Sequence, residues 1–406
     1  MNLIVAQSGG PTSVINSSLA GVISAGIDNN FDNIYLSLHG IEGILEDDIR
    51  EVDKDKFKSD NIKEKLQARP ASILGSCRYK LPSDFSHDDY DKIFKTLKSH
   101  EITTFVYIGG NDSMDTVMKL NNYMSENDIK GINIIGCPKT IDNDLMGMDH
   151  SPGFASAAKY NAQTLRSMRA DVDIYDLKSV TFVEIMGRNA GWLAASSLVA
   201  NHNMDKDVVN LVYLPEKSIY LDDMIDEIKK ALETENNLIV ALAEGFMDKE
   251  EKLSEDSFKN TDDGFNHKIV SGISYRLSDI VREKLGIKSR AVEINIVQRS
   301  NTIISQTDSD EAYILGYRAV ETGISDTNKI PVLNRKDSAN YEVYYESVSP
   351  DKIANKEMII PDDWLSDKEI LEEKMIAYTL PLIQGEVKEV YEDGMPVFVK
   401  LDDFIK

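Results

Sequence analysis

Leu3-Ile4-Val5-Ala6-Gln7-Ser8-Gly9-Gly10-Pro11-Thr12-Ser13 is the stretch whose reading decides the fold. Residues 3–7 are mostly apolar on both alternating faces, as in a strand buried inside a parallel sheet; paired glycines then lead into a helix predicted over 14–29. The same unit recurs along the chain. Short apolar runs at 34–38, 103–108, 132–137, 180–185, 238–243 and 291–297 alternate with amphipathic stretches such as 113–123 and 221–234. The pattern predicts an α/β, doubly wound architecture. In such open sheets ligands bind where the strands end, so the loops after these runs are the places to look for chemistry.

Composition limits that chemistry. Lys plus Arg number 45 against 69 Asp plus Glu, a formal net charge of −24. A surface this acidic suits neither a nucleic acid nor an anionic membrane, so any phosphate must be met by a local site. Two cysteines, Cys77 and Cys137, cannot make a disulfide framework and point to a reducing compartment. The six histidines are dispersed without metal-site spacing. No basic segment precedes the apolar run at 3–6, and no run approaches membrane-spanning length, so a cytoplasmic protein is expected.

Unusual residue clusters all fall at strand ends. Gly9 and Gly10 let backbone amides approach an anion at a helix start, although in isolation a tight turn with a capping serine explains them better. Gly109-Gly110-Asn111-Asp112-Ser113 repeats the arrangement after the 103–108 run, and Asp112 there could equally cap the helix. Pro138-Lys139-Thr140-Ile141-Asp142-Asn143-Asp144 sets two carboxylates, a cation and a hydroxyl in one loop. That set suits phosphoryl transfer, in which a base receives an alcohol proton while cations hold phosphate oxygens; a solvated acidic turn is the plain alternative.

Taken together, these loops with Met186-Gly187-Arg188 resemble the 6-phosphofructokinases, in the same order across about residues 3–319. The resemblance implies two similar doubly wound domains with an active site in the cleft between them, phosphorylating the C1 hydroxyl of fructose 6-phosphate. It makes Asp142 the general base and Arg78 the cation on the transferring group, with Thr140 and Ile141 in the same loop. Met186, Gly187, Arg188, Glu244, Arg290 and Arg299 match sugar-phosphate positions. It also implies Mg²⁺, with Asn111 and Asp144 as candidate ligands, although Asn111 stands where relatives usually carry an aspartate. The donor loops would be Gly9-Gly10 and Gly110 with Asp112 and Lys139.

Asp112 and Lys139 replace glycines of the ATP-using members, and both match the pyrophosphate-dependent branch. An aspartate would repel a nucleotide's α-phosphate, while a lysine would meet the free end of a small, highly charged donor. Ile41, in place of an adenine-stacking tyrosine, and Asn189-Ala190-Gly191-Trp192 agree with that branch. Ala20 and Ser24 lie where regulated members carry effector-binding arginines, so no regulation through that site is expected. Ile296 replaces a sugar-site histidine. Ser179 stands where a neighbouring subunit's arginine usually reaches the 6-phosphate, with Lys178 as its candidate replacement.

The expected reaction converts fructose 6-phosphate and pyrophosphate to fructose 1,6-bisphosphate and phosphate, reversibly and with Mg²⁺, in a homodimer or homotetramer. An ATP-dependent enzyme, or a silent sugar-phosphate sensor suggested by Asn111, Ile296 and Ser179, are the alternatives. Residues 1–153 with about 300–348 would hold the donor, 154–299 the sugar phosphate, and 349–406 would form an appendage with a helix and an Asp393-Gly394 hairpin. If Asp112 and Lys139 gate the donor, the double variant Asp112→Gly/Lys139→Gly uses pyrophosphate less well and admits ATP. Steady-state kinetics with each donor checks this; unchanged pyrophosphate kinetics would contradict it.

Overall fold

The computed structural model describes residues 1–59, 61–250, 253, 272–325 and 329–406. Strands β1 (Asn2–Gln7), β2 (Asn33–Ser37), β3 (Ile49–Glu51), β4 (Ile102–Gly109) and β5 (Asn133–Pro138) form a sheet in the order β3-β2-β1-β4-β5. All its pairings are parallel except β2 with β3. Every residue of β1 is buried, which is why the run carries no polar alternation.

A second sheet, parallel throughout, contains β6 (Ser179–Ile185), β7 (Leu211–Tyr213), β8 (Asn237–Ala243) and β9 (Lys288–Glu293) in the order β7-β8-β6-β9. Here one expectation is corrected. The run 291–297 is a strand only to Glu293; Asn295 takes a left-handed φ of 52°, and a 3-10 helix follows over Asn295–Arg299. Spacing between Ile294 and Ile296 imitates a strand, but a left-handed residue ends pairing, and Ile296 and Val297 are left exposed. That turn brings Arg299 round towards the carboxyl ends of the strands.

The helix Phe154–Val172 leads from the first sheet to the second, and Gln306–Ser325 returns to the first. This returning helix packs so closely on Ile15–Asp28 that a Cβ on Gly21 would lie 2.0 Å from the Tyr313 carbonyl oxygen, and one on Gly316 2.0 Å from that of Ser18. Beyond it come the antiparallel pair β10 (Ile330–Arg335) and β11 (Val343–Val348), then the helix Lys368–Thr379. The final hairpin turns at Asp393 and Gly394, both at positive φ as a tight two-residue hairpin turn requires.

The C-terminal segment fills both cores. Leu371, Met375, Tyr378 and Leu382 join the apolar cluster under the second sheet, whereas Val399 and Phe404 join that of the first. Phe404 is fully buried and meets Phe57 edge to face at 6.2 Å. Phe404→Ala therefore costs about 3–5 kcal/mol of stability, as for other buried aromatics. Chemical denaturation measures it, and a loss below about 0.5 kcal/mol, the range of ordinary surface changes, would show that the tail is only laid on the surface.

Candidate active site

The carboxyl ends of both sheets face one cleft of about 560 Å³. β1 delivers Gly9 and Gly10; β4 delivers Gly110, Asn111 and Asp112; β5 delivers Lys139 through Asp144. From the second sheet β6 contributes Met186 and Arg188, β8 contributes Glu244, and the 3-10 turn after β9 contributes Arg299. Arg78 completes the lining from the long connection between the helix Ile62–Gln67 and the helix Asp88–Ser99. Residues as far apart in sequence as Gly9 and Arg299 thus converge because parallel strands all point their loops the same way.

Lys139 is the centre of this arrangement. Its ammonium is only 2% exposed and donates to the Gly10 carbonyl oxygen at 2.6 Å. Burial lowers its pKa to about 8, an effect opposed by Asp142 and Asp144 and reinforced by Arg299 and Arg78. Gly9 has a φ of +74°, and a Cβ there would stand 3.2 Å from the Lys139 Nζ. The paired glycines therefore leave room for a buried cation as well as for an anion.

Asp142 lies on the catalytic-type loop, with its own backbone N–H donating to Thr140 Oγ1 at 3.1 Å. Burial raises its pKa, against the pull of Lys139, Arg188 and Arg299. Asp144 is raised to about 7 by burial and by the charge of Asp142, and Glu244 to about 7 for the same two reasons. Burial and Arg78 lower the pKa of Arg299. Cations and carboxylates are thus crowded in a poorly solvated space, an arrangement typical of sites that move protons.

Asn111 also reaches the C-terminal segment. Its amide oxygen accepts from the Asn355 backbone N–H at 2.6 Å and its amide nitrogen donates to the Lys356 carbonyl oxygen at 2.6 Å. Asn111 thus clamps that segment against the cleft. That segment lines the cleft with Asn355 and Glu357. Asn189 Nδ2 donates to Glu357 Oε1 at 2.5 Å, and the Met358 N–H donates to the Asp144 carbonyl oxygen at 2.7 Å. Asp144 Oδ1 is a buried carboxylate oxygen with no hydrogen-bond partner among the described residues. An orphan anionic oxygen fits a divalent cation. No group of three or more His, Cys, Asp or Glu is disposed as a metal site among the described residues.

Asp112 stands in the first turn of the helix Asn111–Glu126, its carboxylate 3.9 Å from the Lys80 ammonium. Lys80, Asn189, Asn355 and Glu357 belong to the lining without having been singled out as site residues from the sequence. Lys80 follows Arg78 at the two-residue spacing of extended chain, a signal that was available; Asn355 and Glu357 had none.

Five expected positions lie elsewhere. Arg290 is on β9, outside the cleft lining, with its guanidinium 3.2 Å from Asp171 and 43% exposed. Gly187 does not line the cleft but joins two residues that do, at a φ of +126°. Lys178 donates to the Leu232 carbonyl oxygen at 2.7 Å, and Ser179 to Asn237 Oδ1 at 2.6 Å, so neither is turned to a sugar phosphate within this chain. Ile41 is wholly buried in the core rather than in the cleft.

Comparison with known proteins matches residues 2–322 to the family described as phosphofructokinase. The pyrophosphate–fructose 6-phosphate 1-phosphotransferase of Halomonas elongata is 33% identical over 410 residues, covering 98% of this chain and 96% of the relative. The sulfofructose kinase of Alkalicoccus urumqiensis is 30% identical over 378 residues, covering 92% and 94%. Among solved structures, a pyrophosphate-dependent phosphofructokinase from Nitrosospira multiformis superposes with a TM-score of 0.86 at 29% identity, over 100% of this chain and 97% of that one.

Glu244 yields a test of the crowding. Its folded pKa of about 7 exceeds the ordinary 4.5, so the folded state binds more protons than the unfolded one between these values and its charge destabilises as pH rises. Glu244→Gln without ligands is therefore expected to melt higher than wild type at about pH 8, the difference closing as pH falls from about 7 to about 4.5. A melting series across that range decides it, and a gap independent of pH would refute the crowding.

Proposed function

This chain belongs to the phosphofructokinase family, and from that premise we propose that its cleft transfers a phosphoryl group from pyrophosphate to the C1 hydroxyl of fructose 6-phosphate, giving fructose 1,6-bisphosphate and phosphate. The observation that carries the choice of donor is Lys139: a buried ammonium facing Asp142 beside the glycine loops, with the Asp112 carboxylate at the adjoining helix start. A nucleotide's α-phosphate would meet the carboxylate, whereas pyrophosphate ends at the cation. Relatives named for pyrophosphate, similar along nearly their whole length, support the same reading.

Asp142 accepts the proton of the C1 hydroxyl as that oxygen attacks the nearer phosphorus of the donor, and the bond to the departing phosphate breaks. Its raised pKa makes it a better base than an exposed aspartate. Arg78 and Lys139 hold donor oxygens from the first sheet's side. A guanidinium and an ammonium, already in place before the reaction, stabilise charge without reorganising. Arg188, Glu244 and Arg299 hold the sugar phosphate, with residues 1–153 and about 300–348 serving the donor and 154–299 the sugar. Asp144 would hold Mg²⁺, which when bound would neutralise charge on the donor oxygens. Because one anhydride is exchanged for one ester, the reaction runs in either direction.

Arg290, on the exposed side of β9, serves a sugar phosphate only if a second copy of the chain brings a site to it. A homo-oligomer is therefore part of the proposal. So is an intracellular, sugar-metabolising setting, which accords with two buried free cysteines.

Fructose 1,6-bisphosphate formation is expected with pyrophosphate and fructose 6-phosphate and not with ATP, and Asp142→Asn should lower kcat by about 10²–10⁴-fold. A better rate with ATP would reverse the donor assignment. Full activity in Asp142→Asn would remove the base. Running the assay with sulfofructose as acceptor tests the sugar against the alternative named in one relative; faster turnover of the sulfonated sugar would overturn the fructose 6-phosphate assignment.

A further inference from the structure

Asp142 and Asp144 line the cleft, while Asn143 between them is fully buried on its far side. Asn143 has a φ of +57°, a left-handed conformation that a side chain adopts at some cost and that the surroundings must hold. Its own amide is the hold. Oδ1 accepts from the Ser151 N–H at 2.8 Å, and Nδ2 donates to the Tyr378 hydroxyl at 2.8 Å. That hydroxyl in turn donates to the Asp149 carbonyl oxygen at 2.7 Å.

Tyr378 comes from the helix Lys368–Thr379, beyond the segment matched to the family. Its ring is packed between Trp192, at 5.2 Å, and Phe154, at 6.1 Å. The Arg335 guanidinium lies 5.0 Å over it and donates to the Tyr378 carbonyl oxygen at 3.0 Å. Arg335 also pairs with Asp149 at 3.2 Å, and Asp149 with His150, which reaches Glu311 at 2.8 Å. The hydroxyl is therefore a fixed point in a rigid polar network.

We infer that Tyr378 is a positioning residue for the phosphoryl transfer: its hydroxyl holds the Asn143 turn from behind and thereby aims Asp142 at the acceptor hydroxyl. The inference rests on Asp142 being the base of the proposed reaction. On the cleft side the loop faces groups whose charge changes at every turnover, so its aim has to be set from the buried side. Only a group that accepts and donates at once joins Asn143 Nδ2 to the Asp149 carbonyl, and phenylalanine would leave both without a partner.

Tyr378→Phe keeps the ring and removes the join. With pyrophosphate, fructose 6-phosphate and Mg²⁺, its kcat is expected to fall about 10- to 100-fold while both KM values stay within about twofold of wild type, because aim rather than binding is lost. Tyr341→Phe is the control. Tyr341 donates to Glu311 in the same network without touching the loop, so its loss should lower the melting temperature and leave kcat unchanged. Asn143→Gly tolerates the left-handed turn, removes the anchor, and should show the same kcat loss as Tyr378→Phe, with the double variant no worse than either single one. Wild-type kcat in Tyr378→Phe with only a lower melting temperature, wild-type kcat in Asn143→Gly, or multiplying losses in the double variant would each overturn the inference. Should Tyr378→Phe fail to fold, Asn143→Gly decides by itself. Absence of any pyrophosphate-dependent turnover in wild type would instead strike the functional reading, which separates the two failures.

Discussion

Lys139 carries a positive charge almost wholly out of water, and much of the site's structure answers to that charge. Removing an ion from water costs several kcal/mol, recovered only where geometry supplies close and well-aimed partners. Here the close partner is the Gly10 carbonyl oxygen at 2.6 Å, and the charges of Asp142 and Asp144 favour the ammonium from farther off. Gly9 lies so close that a side chain there would crowd the ammonium, and β5 must end at Pro138 for the lysine to enter at all. With a pKa of about 8, the ammonium remains mostly charged at neutral pH despite its burial. The same charge gives a small anion a reason to enter a deep site.

That local need explains how a chain of net charge −24 handles strongly anionic ligands. Arg78, Lys139, Arg188 and Arg299 converge on one cleft, with Asp142, Asp144 and Glu244 set among them rather than on the surface. At physiological ionic strength surface fields fade over about 8 Å, so the acidic exterior does little to oppose a ligand that has reached the cleft. Within it, the raised pKa values of the carboxylates record an electrostatic tension that phosphate oxygens and a divalent cation would rebalance.

Local signals make the central strands of both larger sheets and most of the cleft legible in the sequence, whereas the short β3 and β7 and the pair β10–β11 carry no such signal. The strand β1 and the glycines after it form a continuous signature, as do β4 with Gly110 and β5 with Lys139, because burial on both faces and a turn at the strand end are imposed on consecutive residues. The strand after Lys288 was misjudged where apolar spacing persisted beyond a left-handed asparagine. Asn355, Glu357 and Tyr378 were illegible for a different reason. Each acts through a contact with a residue more than a hundred positions away, such as Asn111 or Asn143, and such contacts leave no periodicity. Asn111 shows the same limit: its motif suggests a ligand, and its hydrogen bonds to residues 355 and 356 could not be read from that motif.

In the proposed reaction one phosphoryl group moves from pyrophosphate to a sugar hydroxyl, not to water, and none comes from a nucleotide. Phosphorus NMR of the protein with pyrophosphate, fructose 6-phosphate and Mg²⁺ reads this directly. Each pyrophosphate consumed is expected to yield one phosphate and one new sugar phosphomonoester, and phosphate added to fructose 1,6-bisphosphate to regenerate pyrophosphate. Two phosphates per pyrophosphate with no new ester, or consumption confined to ATP when both donors are present, would contradict it.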